Sequence, residues 1–100
     1  MKNFKTFNLA VEFYHLANHA KLPYHLKEQL QRASSSIALN LAEGRGKATR
    51  KDQIRFFHIA LGSLRESQGI LILGNLINSE AWNVLDKLGA SLYCLIKNAK

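Results

Sequence analysis

Residues 29–66 read QLQRASSSIALNLAEGRGKATRKDQIRFFHIALGSLRE, and this stretch decides the fold. Side chains recur at helical spacing on both sides of a short basic turn. The register before the turn contains Leu26, Leu30, Ala33, Ile37 and Leu41, and the register after it contains Ile54, Phe57, Leu61, Leu64, Gln68 and Leu71. Because steps of three and four residues keep side chains on one helical face, the stretch predicts two amphipathic helices.

The turn between these helices carries its own start and stop signals. Gly44 and Gly46 are predicted to end the helix before the turn, since glycine is common just beyond helix C-termini. Thr49 is predicted to cap the helix after the turn, with Asp52 three residues later completing a near capping box.

Working outward, the sequence predicts one further helix on each side. The predicted helices cover residues 4–20, 24–43 and 50–75, and a fourth helix begins after Asn78 or Ser79. Pro23 separates the first two, because proline disfavours helical geometry in the residue before it. No alternating β pattern or hairpin turn is present. The expected fold is all-α: an antiparallel up-down-up-down four-helix bundle forming a single domain over residues 1–100.

Two of the predicted helices have apolar residues on more than one face. In the first helix, one stripe consists of Leu9, Phe13, Leu16, Ala17 and Ala20, and a second consists of Phe4, Phe7, Val11 and Tyr14. The third helix leaves only a polar strip for water, which consists of Lys51, Arg55, His58, Gly62, Arg65 and Gly69. A surface helix of a monomer needs one apolar stripe, so the pattern predicts a closed homo-oligomer.

Composition limits the classes of function. Apolar residues make up 47% of the 100 residues, and 14 Lys and Arg against 7 Asp and Glu give a net charge of +7, which favours an anionic partner. No apolar run approaches the ~20 residues of a membrane span, and the first residues lack the apolar core of a signal peptide. The single cysteine, Cys94, suits a reducing compartment, so a cytoplasmic location without membrane contact is expected.

A two-part motif in the central helices resembles a known family. Its first part is Gln29-Leu30-x-Arg32-Ala33-x-Ser35-Ser36-Ile37-x-x-Asn40-Leu41-Ala42-Glu43-Gly44, and its second is Phe56-x-x-Ile59-Ala60-x-Gly62-Ser63-Leu64-x-Glu66. The pattern resembles the four-helix-bundle proteins encoded by intervening sequences of bacterial 23S rRNA genes. The same family includes the accessory variability determinant protein of diversity-generating retroelements.

The resemblance implies an assembly and a class of partner. It implies a homopentamer whose bundles surround a central axis, with a basic surface able to bind RNA or DNA. In the retroelement branch it also implies a reverse transcriptase as a partner. The family offers no catalytic residues to carry over, and the sequence does not decide between the two branches.

The candidate nucleic-acid-binding residues centre on the turn: Arg45, Lys47, Arg50, Lys51 and Arg55, with Arg65 further along the third helix. Arg50 and Lys51 stand at a helix start, where the helix dipole favours acids, so an anion such as phosphate is expected nearby. The residues with an expected structural role are Arg32, Asn40, Glu43, Gly44, Gly62, Ser63 and Glu66. Glu43 and Glu66 are interpreted as ion-pair partners of Arg32, Arg55 or Arg65.

Two hypotheses about function follow, and neither is enzymatic. The first is an oligomeric bundle that binds nucleic acid through phosphates, as an accessory to an RNA-processing enzyme or reverse transcriptase. The second is a protein-only adaptor that binds an acidic partner protein. Gly44-Arg45-Gly46-Lys47 lacks the preceding strand and the hydroxyl residue of a P-loop, and Glu12-x-x-His15 has no second copy to complete a di-metal site. No cofactor or metal is expected, and Cys94 is interpreted as a small packing residue.

Overall fold

The computed structural model describes residues 4–98, and all regular secondary structure in that range is helical. Four helices follow one another: α1 (Lys5–Asn18), α2 (Tyr24–Arg45), α3 (Arg50–Leu73) and α4 (Glu80–Lys97). The all-α class and the four-helix bundle predicted from the sequence are therefore confirmed.

The helices pack as a ring around one core. Helix α1 packs on α2 and α4, and α3 packs on the same two neighbours, with the most extensive contact between α2 and α3. Every helix contributes fully buried side chains, the largest of which are Phe13, Leu30, Ile37, Leu41, Leu71, Leu85, Leu88 and Leu92. The predicted apolar stripes of α2 and α3 thus form the centre of the molecule, whose dimensions are 40 × 21 × 20 Å.

Two contacts join residues near the ends of different helices. Thr6, near the start of α1, shares a hydrogen bond of 2.6 Å with Ser91 in the last turns of α4. A side chain added at Gly74, just beyond α3, would meet Leu22 in the connection before α2. None of the helices described over residues 4–98 is long and apolar enough to cross a membrane.

The predicted helix starts agree with the structure to within one residue, but three predicted ends are wrong, since α3 ends at Leu73 rather than at Asn75. Helix α1 ends at Asn18 rather than at Ala20, and α2 continues to Arg45 instead of ending at Glu43. Gly44 lies inside α2 and is buried. Gly46 occupies the C-cap position with φ −82°, in the right-handed region that any residue can adopt. The left-handed ending that glycine usually provides is therefore absent here.

Gly44 has a packing role instead. A Cβ added at this position would lie 2.8 Å from Cε1 of Phe57 and 3.0 Å from Cβ of Phe56. Contacts that short are essentially forbidden, so the missing side chain lets α2 and α3 approach each other beside the turn.

The second apolar stripe of α1 is mostly accounted for within the chain. Phe4 is buried, Phe7 packs against the core, and Val11 and Tyr14 line a cleft with Leu39 of α2. The stripe therefore does not by itself require another subunit, because α1 must face α2 on one side and α4 on the other.

The serines in the middle of α2 form short-range hydrogen bonds and pack closely. Ser34 is fully buried and donates to the carbonyl oxygen of Gln31, and Ser35 donates to that of Arg32. The Ser36 hydroxyl lies 2.8 Å from that of Ser63 on α3. Small side chains with satisfied hydroxyls allow α2 and α3 to pack closely.

Candidate nucleic-acid interface

The predicted cations lie at the end of α2, in the connection after it and in the first turns of α3. We define the basic turn as Arg45, Lys47, Arg50, Lys51 and Arg55. Helix α2 ends at Arg45, the connection passes through Lys47, and α3 begins at Arg50. The two acids within this segment are Glu43 and Asp52, so five cations face two carboxylates. The basic turn therefore has a local excess of positive charge.

Aromatic rings hold three of these cations in place. The Arg45 guanidinium lies 4.3 Å from the centroid of the Phe4 ring, at the start of α1. Phe56 carries two cations: the Arg55 guanidinium at 4.6 Å and the Lys47 ammonium at 5.1 Å from its ring centroid. Because the face of an aromatic ring attracts cations, these side chains have fewer conformations available than ordinary surface lysines and arginines.

Lys47 is also tied to its surroundings by two polar contacts. Its ammonium lies 3.0 Å from a carboxylate oxygen of Glu43, one helical turn earlier. Its carbonyl oxygen accepts a hydrogen bond of 3.0 Å from the side-chain amide of Gln53. These contacts give the connection a defined shape, although the Glu43 carboxylate competes with any external anion for Lys47.

The start of α3 is open to solvent. Thr49 caps the helix as predicted, because its hydroxyl accepts a hydrogen bond of 3.2 Å from the backbone N–H of Asp52. Arg50 and Lys51 are exposed. The first N–H groups of a helix lack intrahelical acceptors, and the helix dipole adds positive potential at this end. The backbone and two side chains thus favour an anion at the same place.

Arg65 does not join the basic turn. It is exposed on α3, ten residues beyond Arg55, which corresponds to about 15 Å along the helix axis. Gly62 and Gly69 share this side of α3, and a Cβ added at either would meet no atom of the described chain within 4 Å. Within one chain, no other helix packs closely against these two glycines.

The residues expected to have structural roles divide into two groups. Asn40 donates hydrogen bonds to the carbonyl oxygen and the hydroxyl of Ser36, whose hydroxyl also contacts Ser63. The charged residues behave differently. Over residues 4–98 the ion pair formed is that of Glu43 with Lys47. Within the described residues Glu43 therefore pairs with Lys47 rather than with an arginine, and Arg32 and Glu66 are exposed. Ion pairs that close a subunit interface stay a prediction.

Other ionisable groups lie outside the basic turn. The Tyr24 hydroxyl donates a hydrogen bond of 3.0 Å to the Glu28 carboxylate, and this contact raises the pKa of Tyr24. Cys94, interpreted from the sequence as a small packing residue, is exposed in the single chain. In the part of the chain that the structure describes, no three His, Cys, Asp or Glu residues are grouped to hold a metal ion.

Two members of the site were missed by sequence reasoning. The helical pattern places Phe4 on an apolar stripe and gives no cation-binding role to Phe56, yet each lies beneath a cation of the basic turn. A signal existed for Phe56, since Arg55 precedes it and the turn is nearby. None existed for Phe4, because 41 positions separate it from Arg45.

Comparison with known proteins identifies the family. Searches against curated proteins and against solved structures returned no significant match. The model of one family, described as the 23S rRNA-intervening sequence protein, matches residues 4–97, nearly the whole chain. The match includes the two motif segments on α2 and α3 as well as the basic turn between them. The chain therefore belongs to the 23S rRNA-intervening sequence protein family.

Proposed function

We propose that this protein is a non-enzymatic bundle that binds nucleic acid through phosphate contacts at the basic turn. The observation that carries the proposal is the arrangement of cations around the start of α3. Arg45 and Arg55 are held over aromatic rings, and Arg50 and Lys51 are exposed beside open backbone N–H groups. Phosphate oxygens suit both kinds of donor, since arginine binds them in a bidentate manner and helix starts attract anions.

The family description supports RNA as the first ligand to examine, because it names an intervening sequence of 23S rRNA. The chemistry of the basic turn favours position over sequence: arginine and lysine contacts to phosphate fix a strand without reading its bases. Binding with weak sequence preference and strong salt dependence is expected.

Assembly into a closed homo-oligomer is part of the proposal. We infer an antiparallel up-down-up-down bundle from the contacts of helix ends, and a pentamer from the family resemblance. Exposed apolar side chains support assembly: Tyr24, Leu39, Ile59, Ile72, Leu73, Ile77 and Tyr93, of which Leu39 is 67% and Leu73 is 75% exposed. Gly62 and Gly69 leave room on α3 for close approach of another helix. An oligomer would bring several basic turns to one ligand and raise avidity.

The binding test reverses the charge of two exposed cations. Arg45→Glu with Arg50→Glu should weaken RNA binding strongly and flatten its dependence on salt. For single strands each lost phosphate contact lowers the log-log slope by about 0.7, and for duplex DNA by about 0.9. Lys47 is left unchanged, because a glutamate there would repel Glu43 and disturb the turn itself.

The matched control is Lys21→Glu with Lys27→Glu, which makes the same change in net charge in the α1–α2 connection and the first turn of α2. This variant should keep most of the affinity and the slope. Equal losses in both variants would mean that binding follows net charge alone, and no loss in either would favour the adaptor for an acidic protein. Sedimentation equilibrium at micromolar concentration should give a multiple of the 11.3 kDa chain, and a monomer would refute the assembly.

A further inference from the structure

A second positively charged feature lies between α1 and α4. A cleft of about 550 Å³ is lined by Lys5, Leu9, Lys87, Ala90, Ser91 and Cys94. Apart from the thiol, the ionisable groups that line it are two lysines, and no carboxylate is among them. We refer to it as the lysine groove. Its lining combines apolar side chains with positive charge, which suits an extended anionic chain.

The packing of α1 against α4 explains why the groove is open. The hydroxyls of Thr6 and Ser91 lie 2.6 Å apart and satisfy each other, so they bridge the two helices. Ala90 and Cys94 are small and exposed at the edge of this contact. Short side chains along one side of α4 leave the cleft unfilled, and Lys5 and Lys87 supply its charge.

The start of α1 connects the lysine groove to the basic turn. Phe4 lies beneath the Arg45 guanidinium at 4.3 Å, and the next residue, Lys5, lines the groove. Positive side chains are therefore found at the α2–α3 connection, at Lys5 at the start of α1 and at Lys87 on α4.

We infer that the lysine groove binds a single-stranded segment of the nucleic acid that the basic turn holds, with Lys5 and Lys87 contacting its phosphates. The inference rests on the proposed function. A cleft of about 550 Å³ can hold part of one strand but is too small to admit a duplex, and positively charged grooves that follow one backbone are typical of single-strand binding. No aromatic side chain lines the groove, so it should follow the backbone rather than stack bases.

The first test counts phosphate contacts. Lys5→Gln with Lys87→Gln removes two charges from exposed positions while keeping long polar side chains. With oligouridylate as an unstructured probe, the log-log salt slope should fall by about 1.4, since each single-strand contact contributes about 0.7. A matched RNA hairpin, which reaches only the basic turn, should show an unchanged slope. Lys21→Gln with Lys27→Gln is the control for net charge.

The second test uses the single cysteine as a reporter within the groove. Saturating oligouridylate should slow alkylation of Cys94 several-fold in the parent protein. The same probe should leave the rate nearly unchanged in the Lys5→Gln, Lys87→Gln variant. This measurement on the parent chain does not depend on whether any variant folds.

The outcomes separate this inference from the proposed function. One outcome would refute the groove inference alone. In it, oligouridylate binds the parent protein and binds the Arg45→Glu, Arg50→Glu variant more weakly. Cys94 nevertheless stays unprotected, and the Lys5→Gln, Lys87→Gln variant keeps the salt slope of the parent. If polyglutamate protects Cys94 while oligouridylate does not, the groove binds an acidic protein segment and the inference is again wrong. If neither RNA probe binds the parent protein, both the proposed function and the inference are refuted.

Discussion

The guanidinium of Arg45 lies 4.3 Å above the ring of Phe4, so the end of α2 meets the start of α1. Phe4 is 3% exposed, and its ring stacks on Phe7 with 6.2 Å between centroids. A cation of the basic turn therefore rests on a ring that belongs to the core. Such a contact restricts the arginine before any ligand arrives, which reduces the entropy lost on binding.

This contact predicts a modest, specific loss of affinity in Phe4→Leu. A cation–π contact at an exposed arginine contributes about 0.5–1 kcal/mol, so RNA binding should weaken about two- to fivefold. The measurement is a double-mutant cycle with Arg45→Ala, read by fluorescence anisotropy. In the Arg45→Ala background, Phe4→Leu should have almost no further effect on affinity. An equal loss in both backgrounds would show that Phe4 acts through the fold rather than through Arg45.

Two glycines of the family motif should respond differently to the same substitution. Gly44→Ala places a methyl group 2.8 Å from Phe57, and overpacking of this kind costs about 1–3 kcal/mol of folding free energy. Both glycines lie in helices, so the gain in helix propensity acts at both and cancels when the two variants are compared. Gly62→Ala meets open space on α3, where alanine is favoured over glycine in a helix by about 1 kcal/mol. Urea unfolding of the two variants gives the comparison directly.

Gly62→Ala also reports on assembly. If another subunit packs closely on α3, the added methyl group should weaken the oligomer in sedimentation even though it favours the helix itself. A Gly44→Ala variant as stable as the Gly62→Ala variant would contradict the role given to Gly44 at the α2–α3 contact.

The four helices and the caps at Thr49 and Ser79 could be predicted because these features depend on residues close in sequence. The role of Gly44 could not be predicted. A glycine at the end of an apolar stripe has the same local sequence pattern whether it ends a helix or makes room for a side chain of another helix. The decisive atom belongs to Phe57, thirteen positions later on another helix. The sequence likewise predicts the positions of the cations, but their contacts with the rings of Phe4 and Phe56 depend on the tertiary structure.

The hydroxyl pair of Ser36 and Ser63 should be energetically coupled. The two oxygens lie 2.8 Å apart, and loss of one partner leaves the other partly buried with fewer hydrogen bonds. A double-mutant cycle of Ser36→Ala and Ser63→Ala, measured by urea unfolding, should give a coupling free energy of about 0.5–1.5 kcal/mol. The cycle cancels the helix propensity gained with alanine. Ser35, which bonds within α2, should be additive with Ser63, and coupling there would undermine the assignment.

The ion pair of Glu43 and Lys47 predicts a gain of binding when the acid is removed. Their charged atoms lie 3.0 Å apart, so a phosphate that approaches Lys47 must compete with the carboxylate and is repelled by it. Glu43→Gln keeps the size of the side chain and removes the negative charge. RNA affinity should rise, and the log-log salt slope should increase by about 0.7 if Lys47 gains one full single-strand contact.

The control for this prediction is Glu66→Gln, which removes the same charge from an exposed position of α3 well beyond the basic turn. It should change affinity slightly through net charge and leave the slope almost unaltered. The stability of Glu43→Gln should also change little, because an exposed pair one helical turn apart contributes about 0.3–0.5 kcal/mol. If both variants raise affinity equally, the Glu43 carboxylate does not compete at Lys47, and the part that Lys47 plays in phosphate binding is refuted.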